Sequence, residues 1–158
     1  MVNSFNWNSI SAEKFEQLCA LLLECNHFTN LQWFGKHGMD KGRDLVAENI
    51  VNPLPNITEV NKWLVQCKRY ITKPPSKSEI NEWLISCKEH NPEYVLLIIT
   101  NTLSANTKDW LRSVETQFPF KIMIWEERDI LKQIIEKNKL IKEHFPRNIH
   151  FWRNNLAV

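Results

Sequence analysis

Gln66 and Lys68 stand two positions apart in the segment WLVQCKRY, a spacing that would let both act at one site. If the segment is a β-strand, both side chains project from one face while Cys67 points to the other. If the segment that begins at Asp44 pairs beside it, a carboxylate, an amide oxygen and an ammonium group converge at the edge of a sheet. Mg²⁺ prefers oxygen ligands and keeps several waters, so the Asp44 carboxylate, the Gln66 amide oxygen and the backbone carbonyl of Cys67 could bind it.

Lys68 and Glu16 would complete such a site. The Lys68 ammonium would stand where a hydroxide forms or where negative charge gathers in a transition state, and it would lower the cost of either. Glu16 lies one position round the first predicted helix from its apolar stripe, where it could face the sheet edge and bind the metal through a water. Together the residues outline a site for the hydrolysis of a phosphodiester.

A glycine-rich turn precedes Asp44. All three glycines of the 158-residue chain fall in the segment GKHGMDKGRDL, residues 35–45. Glycine is favoured where the backbone needs positive φ or where another group approaches it closely. We therefore predict a built turn that positions Asp44. Asp40 is a competing carboxylate, but Asp44 starts the apolar segment DLVA, whereas Asp40 lies inside the loop.

Apolar periodicity and capping signals define the elements that must position these residues. Helices are predicted over residues 11–26, 74–91, 104–118 and 126–145. Strands are predicted over residues 28–35, 43–49, 62–70, 93–101 and 121–125, and residues 50–61, with two prolines, as a variable connection. The second helix has an apolar stripe of Ile80, Trp83, Leu84 and Cys87. The order α-β-β-β-α-β-α-β-α and the nearly all-apolar segment EYVLLIITN predict an α/β domain with a mixed sheet and helices on both faces.

Composition limits the partners and the compartment. The net charge of +2 and the pI near 8.3 are too mild to indicate a nucleic-acid partner on their own. Four scattered cysteines without a C-x-x-C pair are typical of reduced thiols, so we expect a cytoplasmic protein. The longest apolar run is Val95–Ile99, so no membrane segment is predicted.

Three segments, FEQLCALLL, GMDKGRDLVA and WLVQCKRY, together resemble the Mrr-like branch of the PD-(D/E)XK restriction endonuclease superfamily. The pattern of that branch is a helix glutamate, a glycine-rich turn with an aspartate, and Q-x-K. Carried over position by position, the resemblance implies Glu16, Asp44, Gln66 and Lys68 as the active site. Glutamine replaces the acid of the general superfamily motif, as is typical of this branch, and the missing charge should weaken metal affinity.

The resemblance extends over most of residues 9–136 and implies a restriction-endonuclease-like fold. We expect residues 1–145 to form the nuclease domain and residues 146–158 to be a C-terminal extension or the start of a linker. The implied activity is that of a Mg²⁺-dependent endonuclease, with Mn²⁺ as a substitute, acting on double-stranded DNA in restriction or anti-phage defence. The resemblance also allows a homo-oligomer and a fused recognition or nucleotide-hydrolysing domain.

Cationic side chains flank the predicted site. They could neutralise phosphates without reading bases, although an ordinary solvated surface explains them equally well. The residues concerned are Lys36, His37, Lys41, Arg43, Arg69 and Lys73.

The sequence is also compatible with two other functions of the same fold, and its cysteines and histidines raise the question of a zinc site. A non-catalytic DNA-binding or assembly module could keep the fold without the chemistry, and a Holliday-junction-resolvase-like nuclease would prefer branched DNA. Zinc could use thiolate and imidazole ligands. The residues that could form such a site are not suitably spaced for zinc. They are Cys19, Cys25, His27 and His37.

Overall fold

The computed structural model describes residues 6–34, 44–137, 139 and 143. Its helices are α1 (Ala12–Cys25), α2 (Lys77–Cys87), α3 (Ala105–Glu115) and α4 (Glu127–Glu136), with short 3-10 helices at Trp7–Ser9 and Lys88–His90. Its strands are β1 (Thr29–Phe34), β2 (Asp44–Leu54), β3 (Ile57–Lys68), β4 (Tyr94–Ile99) and β5 (Lys121–Trp125). The predicted order of helices and strands is confirmed.

Serine side chains start three of these helices. The hydroxyl oxygens of Ser11, Ser76 and Ser104 accept the backbone N–H three positions on, at 3.1, 3.2 and 3.1 Å. Each bond satisfies one of the donors that the first turn of a helix leaves without an intrahelical partner. The predicted starts at residues 11 and 104 therefore agree with the structure, whereas the second helix begins at Lys77 and not at residue 74.

The sheet is mixed, and its strands lie in the order β1-β2-β3-β4-β5. The first three strands pair antiparallel, and β3, β4 and β5 run parallel. Each parallel connection passes through a helix, α2 between β3 and β4 and α3 between β4 and β5. The register places Asp44 directly opposite Gln66.

Strand β3 divides its side chains between two cores. Val65 and Cys67 pack with α1 and α4 on one face of the sheet. Leu64 packs with α2 and α3 on the other. The last five residues of β4 are all buried, as its apolar sequence predicts for a strand covered by helices on both faces.

The prediction of a variable connection over residues 50–61 is wrong. Strands β2 and β3 run through this segment and meet at a two-residue turn, Pro55 and Asn56, after the pair Leu54 and Ile57. Asn56 has φ of 67° there, a conformation that asparagine tolerates better than most residues. Pro53 falls in the register shift between Val51 and Leu54, the kind of irregularity to which proline within a sheet is confined.

Two other predictions lie outside the described residues. The glycine-rich turn falls in residues 35–43, and the predicted extension of the last helix over residues 138–145 is described only at Lys139 and Glu143.

The end of β3 is tied to the end of β4 by one buried side chain. Thr100 follows β4, and its Oγ1 accepts the Tyr70 backbone N–H at 2.7 Å and donates to the Tyr70 carbonyl at 2.9 Å. This reciprocal pair fixes the chain two residues beyond Lys68.

Replacement of Thr100 by valine tests this tie. Thr100→Val keeps the shape of the side chain but leaves the backbone N–H and carbonyl of Tyr70 without their partner. We expect the free energy of unfolding to fall by about 1–3 kcal/mol, measured by urea denaturation. Thr58→Val, on the exposed hairpin where Oγ1 bonds Asn52 at 3.0 Å, should change it by less than about 0.5 kcal/mol. Equal losses in the two variants would contradict the assignment.

Candidate active site

Asp44 and Gln66 meet at the site that the sequence predicts. They are cross-strand partners in β2 and β3, and the Gln66 Nε2 donates to the Asp44 Oδ1 at 3.2 Å. Gln66 is only 9% exposed, and Asp44 is half-buried. A buried amide donor therefore holds one oxygen of a partly desolvated carboxylate.

The local sequence explains this arrangement. Leu45, Val65 and Cys67 all pack into the core under α1. Because strand side chains alternate between faces, Asp44 and Gln66 must point to the opposite face, toward α2.

Lys68 is the last residue of β3, two positions beyond Gln66 and on the same face. Its positive charge is the weakest of the four influences that lower the pKa of Asp44. The Lys68 Nζ also lies 5.8 Å from the ring centroid of Tyr70. Asp44, Gln66 and Lys68 therefore share one face at the carboxyl end of the parallel strands.

Glu16 approaches from the other face. It is 7% exposed on α1, the helix whose Cys19 packs near Cys67. Burial, then the Cys67 thiol, and then the charge of Glu16 raise the pKa of the Cys19 thiol. Glu16 thus belongs to the helix that covers the face of β3 opposite to Gln66 and Lys68, and its participation in a common pocket stays a prediction.

Burial raises the pKa of Asp44 above its usual range. Four groups oppose this rise, in decreasing order of effect: Gln66, Trp83, His90 and Lys68. Desolvation wins because burial disfavours the charged form of a carboxyl more than these partners favour it.

Helix α2 and the turn after it supply the surface that desolvates Asp44. Trp83, Cys87 and His90 are spaced by four and three residues, so they lie along one side of the helical segment. The indole N–H of Trp83 is buried and faces the carboxylate without forming a hydrogen bond of ordinary geometry to any described residue. Burial and then the charge of Asp44 raise the pKa of the Cys87 thiol.

From the sequence pattern, Trp83 and Cys87 belong only to the apolar stripe of a helix, and His90 has no predicted role. Their apolar spacing is the same for a helix that lines a site as for one that merely covers a core. One feature of the sequence could have indicated that this helix lines a site: His90, a titratable residue, continues the apolar stripe.

The donor set fits a hydrated hard cation. Asp44 supplies carboxylate oxygen, and Gln66 has an amide oxygen in addition to the N–H that bonds Asp44. Among residues 6–34 and 44–137, no group of three or more His, Cys, Asp and Glu side chains could hold a metal ion. One carboxylate and one amide oxygen suit Mg²⁺ that keeps waters and takes further oxygens from phosphates. Cys67 lies in the ladder between β3 and β4, and its carbonyl stays a predicted ligand.

The zinc alternative has no support in the part of the chain described. Cys19, Cys25 and His27 form no such metal-binding cluster, and all four cysteines are free thiols. His37 lies outside the described residues, as does Asp40, the competitor of Asp44.

Arg69, predicted to contact phosphate, has backbone partners. Its Nη1 donates to the carbonyl of Trp7 at 3.3 Å and to that of Ile10. These bonds tie the end of β3 to the segment that leads into α1. Lys73 is exposed in the bend after β3. The other four predicted contacts lie outside the described residues: Lys36, His37, Lys41 and Arg43.

The architecture and the comparisons agree on a class. A five-stranded mixed sheet with helices on both faces is the restriction-endonuclease-like α/β arrangement. A family model, Mrr_cat, described as a restriction endonuclease, matches residues 7–134. The chain therefore belongs to this restriction endonuclease family. No curated protein and no solved structure matches it.

No helix in the described part of the chain is long and apolar enough to cross a membrane.

The raised pKa of Asp44 predicts a stabilising substitution. The folded protein holds this proton more tightly than the unfolded chain does, so the free energy of unfolding falls as pH rises from the ordinary aspartate pKa through the raised one. Asp44→Asn removes the desolvated charge and keeps an oxygen for the Gln66 amide. We expect its thermal midpoint at pH 7 to lie roughly 2–6 °C above that of the wild type.

Two comparisons test the cause of this effect. The advantage of Asp44→Asn should disappear below about pH 3, where the carboxyl is protonated in both states. Glu59→Gln, which removes an exposed acid from β3, should leave the midpoint at pH 7 almost unchanged. Equal midpoints for Asp44→Asn and the wild type at pH 7 would refute the argument.

Proposed function

We propose that the protein is a Mg²⁺-dependent endonuclease that cleaves double-stranded DNA, with Mn²⁺ as a substitute ion. The observation that carries the proposal is the pairing of Asp44 with Gln66 on the face that Lys68 shares, in a chain of this restriction endonuclease family. Acid, amide and amine at the carboxyl end of parallel strands form a suitable set for attack of water on a phosphodiester.

Asp44 and Gln66 have complementary roles in this proposal. Asp44 would hold the metal through its carboxylate, for which it must lose its proton, and Gln66 would fix the orientation of the carboxylate and add an amide oxygen. When bound, Mg²⁺ supplies a Lewis acid that lowers the pKa of a water and offsets phosphate charge. The carbonyl of Cys67 and a water held by Glu16 would complete the protein ligands.

Lys68 would stabilise negative charge. An ammonium on the same face as Asp44 can favour the hydroxide that attacks and the charge that gathers on the phosphoryl oxygens. Because Lys68 is the last residue of β3, its ammonium would lie where a phosphate of the DNA backbone can reach it.

The biological setting is also part of the proposal. Restriction or defence against foreign DNA in the cytoplasm suits a domain of this family, and oligomerisation or a fused recognition or nucleotide-hydrolysing domain would select the target. Pairing of two sites would turn single-strand cleavage into a double-strand break.

Cleavage by active-site variants tests the chemistry. Plasmid, linear and four-way-junction DNA are incubated with Mg²⁺ or Mn²⁺ and with the wild type, Asp44→Asn or Lys68→Met. We expect each variant to lose about 100-fold or more of the cleavage rate, because each lacks a group that acts on the reacting centre. Exposed controls, Glu59→Gln and Lys121→Met, should retain the wild-type rate.

The expected gain in stability makes Asp44→Asn informative, since its lost cleavage cannot be ascribed to unfolding. If both active-site variants show the same background cleavage as the wild type, the result would favour a non-catalytic module of the same fold. A preference for the four-way junction would favour a resolvase.

Salt dependence tests the predicted phosphate contacts. DNA affinity is measured by fluorescence anisotropy in Ca²⁺ over a range of salt concentrations. Combined alanine substitution of Lys36, Lys41 and Arg43 should reduce the steepness of log affinity against log salt by about 2–3. The reason is that fewer phosphate contacts release fewer counterions when the protein binds DNA.

The matched control replaces three exposed cations elsewhere with alanine, namely Arg112, Lys121 and Lys132. It should leave the slope unchanged. The same slope in both triple variants would remove these residues from the DNA interface.

A further inference from the structure

Lys68 and Tyr70 form a contact that the predicted site did not include. The Lys68 Nζ lies 5.8 Å from the Tyr70 ring centroid, within the range in which an aromatic face attracts an ammonium group. Lysine carries its charge on a flexible four-carbon stem and loses rotamer entropy when the charge is fixed. Lys68 ends its strand, so an aromatic face that already favours one position of its ammonium helps to order the side chain.

We propose that Tyr70 is a positioning residue for Lys68, and that its ring face holds the ammonium at the site formed with Asp44 and Gln66. This inference deepens the proposed function and rests on it. Tyr70 itself does not contact the reacting atoms in this proposal, and it acts through Lys68.

Tyr70 can serve as a fixed surface because three elements hold it. Its backbone N–H and carbonyl both bond the buried Thr100 Oγ1 after β4, at 2.7 and 2.9 Å. Its phenol O–H donates to the Glu79 Oε2 on α2 at 3.4 Å. Glu79 belongs to the first turn of α2, where its own N–H bonds the Ser76 hydroxyl at 3.2 Å. The ring thus stands where β3, β4 and α2 meet.

The ring also stays neutral. Burial, the charge of Glu79 and the hydrogen bond to Glu79 all raise the pKa of the Tyr70 phenol. A protonated phenol keeps its O–H on Glu79 and leaves the ring face to the Lys68 ammonium. The ring packs at the border of the core under α2, on the face that Asp44, Gln66 and Lys68 share.

The chain offers a matched control at the far end of the sheet. Tyr94 is the first residue of β4, and its ring stacks on Trp63 with centroids 4.4 Å apart. It is half-buried like Tyr70 but lies at the amino end of β4, away from Lys68. Tyr94→Leu therefore removes a comparable ring without touching the site.

Cleavage kinetics give the first test. Tyr70→Leu removes the ring and should lower kcat about three- to tenfold at unchanged KM, per folded molecule, whereas Tyr70→Phe keeps the face and should recover most of that loss. Tyr94→Leu should leave kcat unchanged. In a Lys68→Met background Tyr70→Leu should cause no further loss, because the ring acts only through the ammonium. An equal loss with and without Lys68 would overturn the proposal.

Nuclear magnetic resonance of the uncleaved protein gives a test that does not depend on activity. The ε-methylene protons of Lys68, assigned by their loss in Lys68→Met, should be shifted upfield by the ring. Tyr70→Leu should move them downfield, and Tyr70→Phe and Tyr94→Leu should not. Signals unaffected by Tyr70→Leu would overturn the contact.

The two tests separate the two claims. If Lys68→Met cleaves as fast as the wild type, the proposed role of Lys68 fails, and the role of Tyr70 in the reaction fails with it. If Lys68→Met is inactive but Tyr70→Leu keeps the wild-type kcat, only the positioning role of Tyr70 is overturned.

Discussion

The carboxyl of Asp44 has to stay ionisable in a place that disfavours its charge, and much of the surrounding structure relates to that constraint. The register of β2 and β3 brings the Gln66 amide opposite it, and α2 covers it with Trp83 and Cys87. Burial outweighs the favourable contacts, so the pKa is raised. A sequence selected only for stability would not keep an acid here, because an uncharged residue of the same shape avoids the desolvation.

Strand β3 connects this carboxyl to the rest of the domain. Its alternating side chains supply Val65 and Cys67 to the core under α1, and Leu64 and Gln66 to the side under α2. Beyond Lys68, Arg69 bonds the segment before α1. The same few residues therefore set the positions of a helix on each face relative to Asp44, and small shifts of β3 would move all of them together.

The sequence predicted the parts of this arrangement that depend on local pattern. The two-residue repeat put Gln66 and Lys68 on one face, and the apolar runs gave the element order. The long hairpin was missed because Pro53 and Pro55 suggested a loop, whereas a register shift and a turn accommodate them. The desolvation of Asp44 was missed because it depends on how closely α2 packs against β2, and periodicity along one helix carries no information on its distance from another element.

Glutamine at position 66 has a further consequence for the proposed chemistry. An acid there would place a second negative charge beside Asp44 and raise its pKa further, whereas the amide donates to the carboxylate and lowers it. The cost is a weaker attraction for a divalent ion, since the amide that pairs with Asp44 carries no negative charge of its own. Phosphate oxygens of the DNA can supply the missing negative charge. In the proposed reaction the site would therefore hold its metal most firmly when substrate is present, and metal binding would be coupled to recognition of DNA.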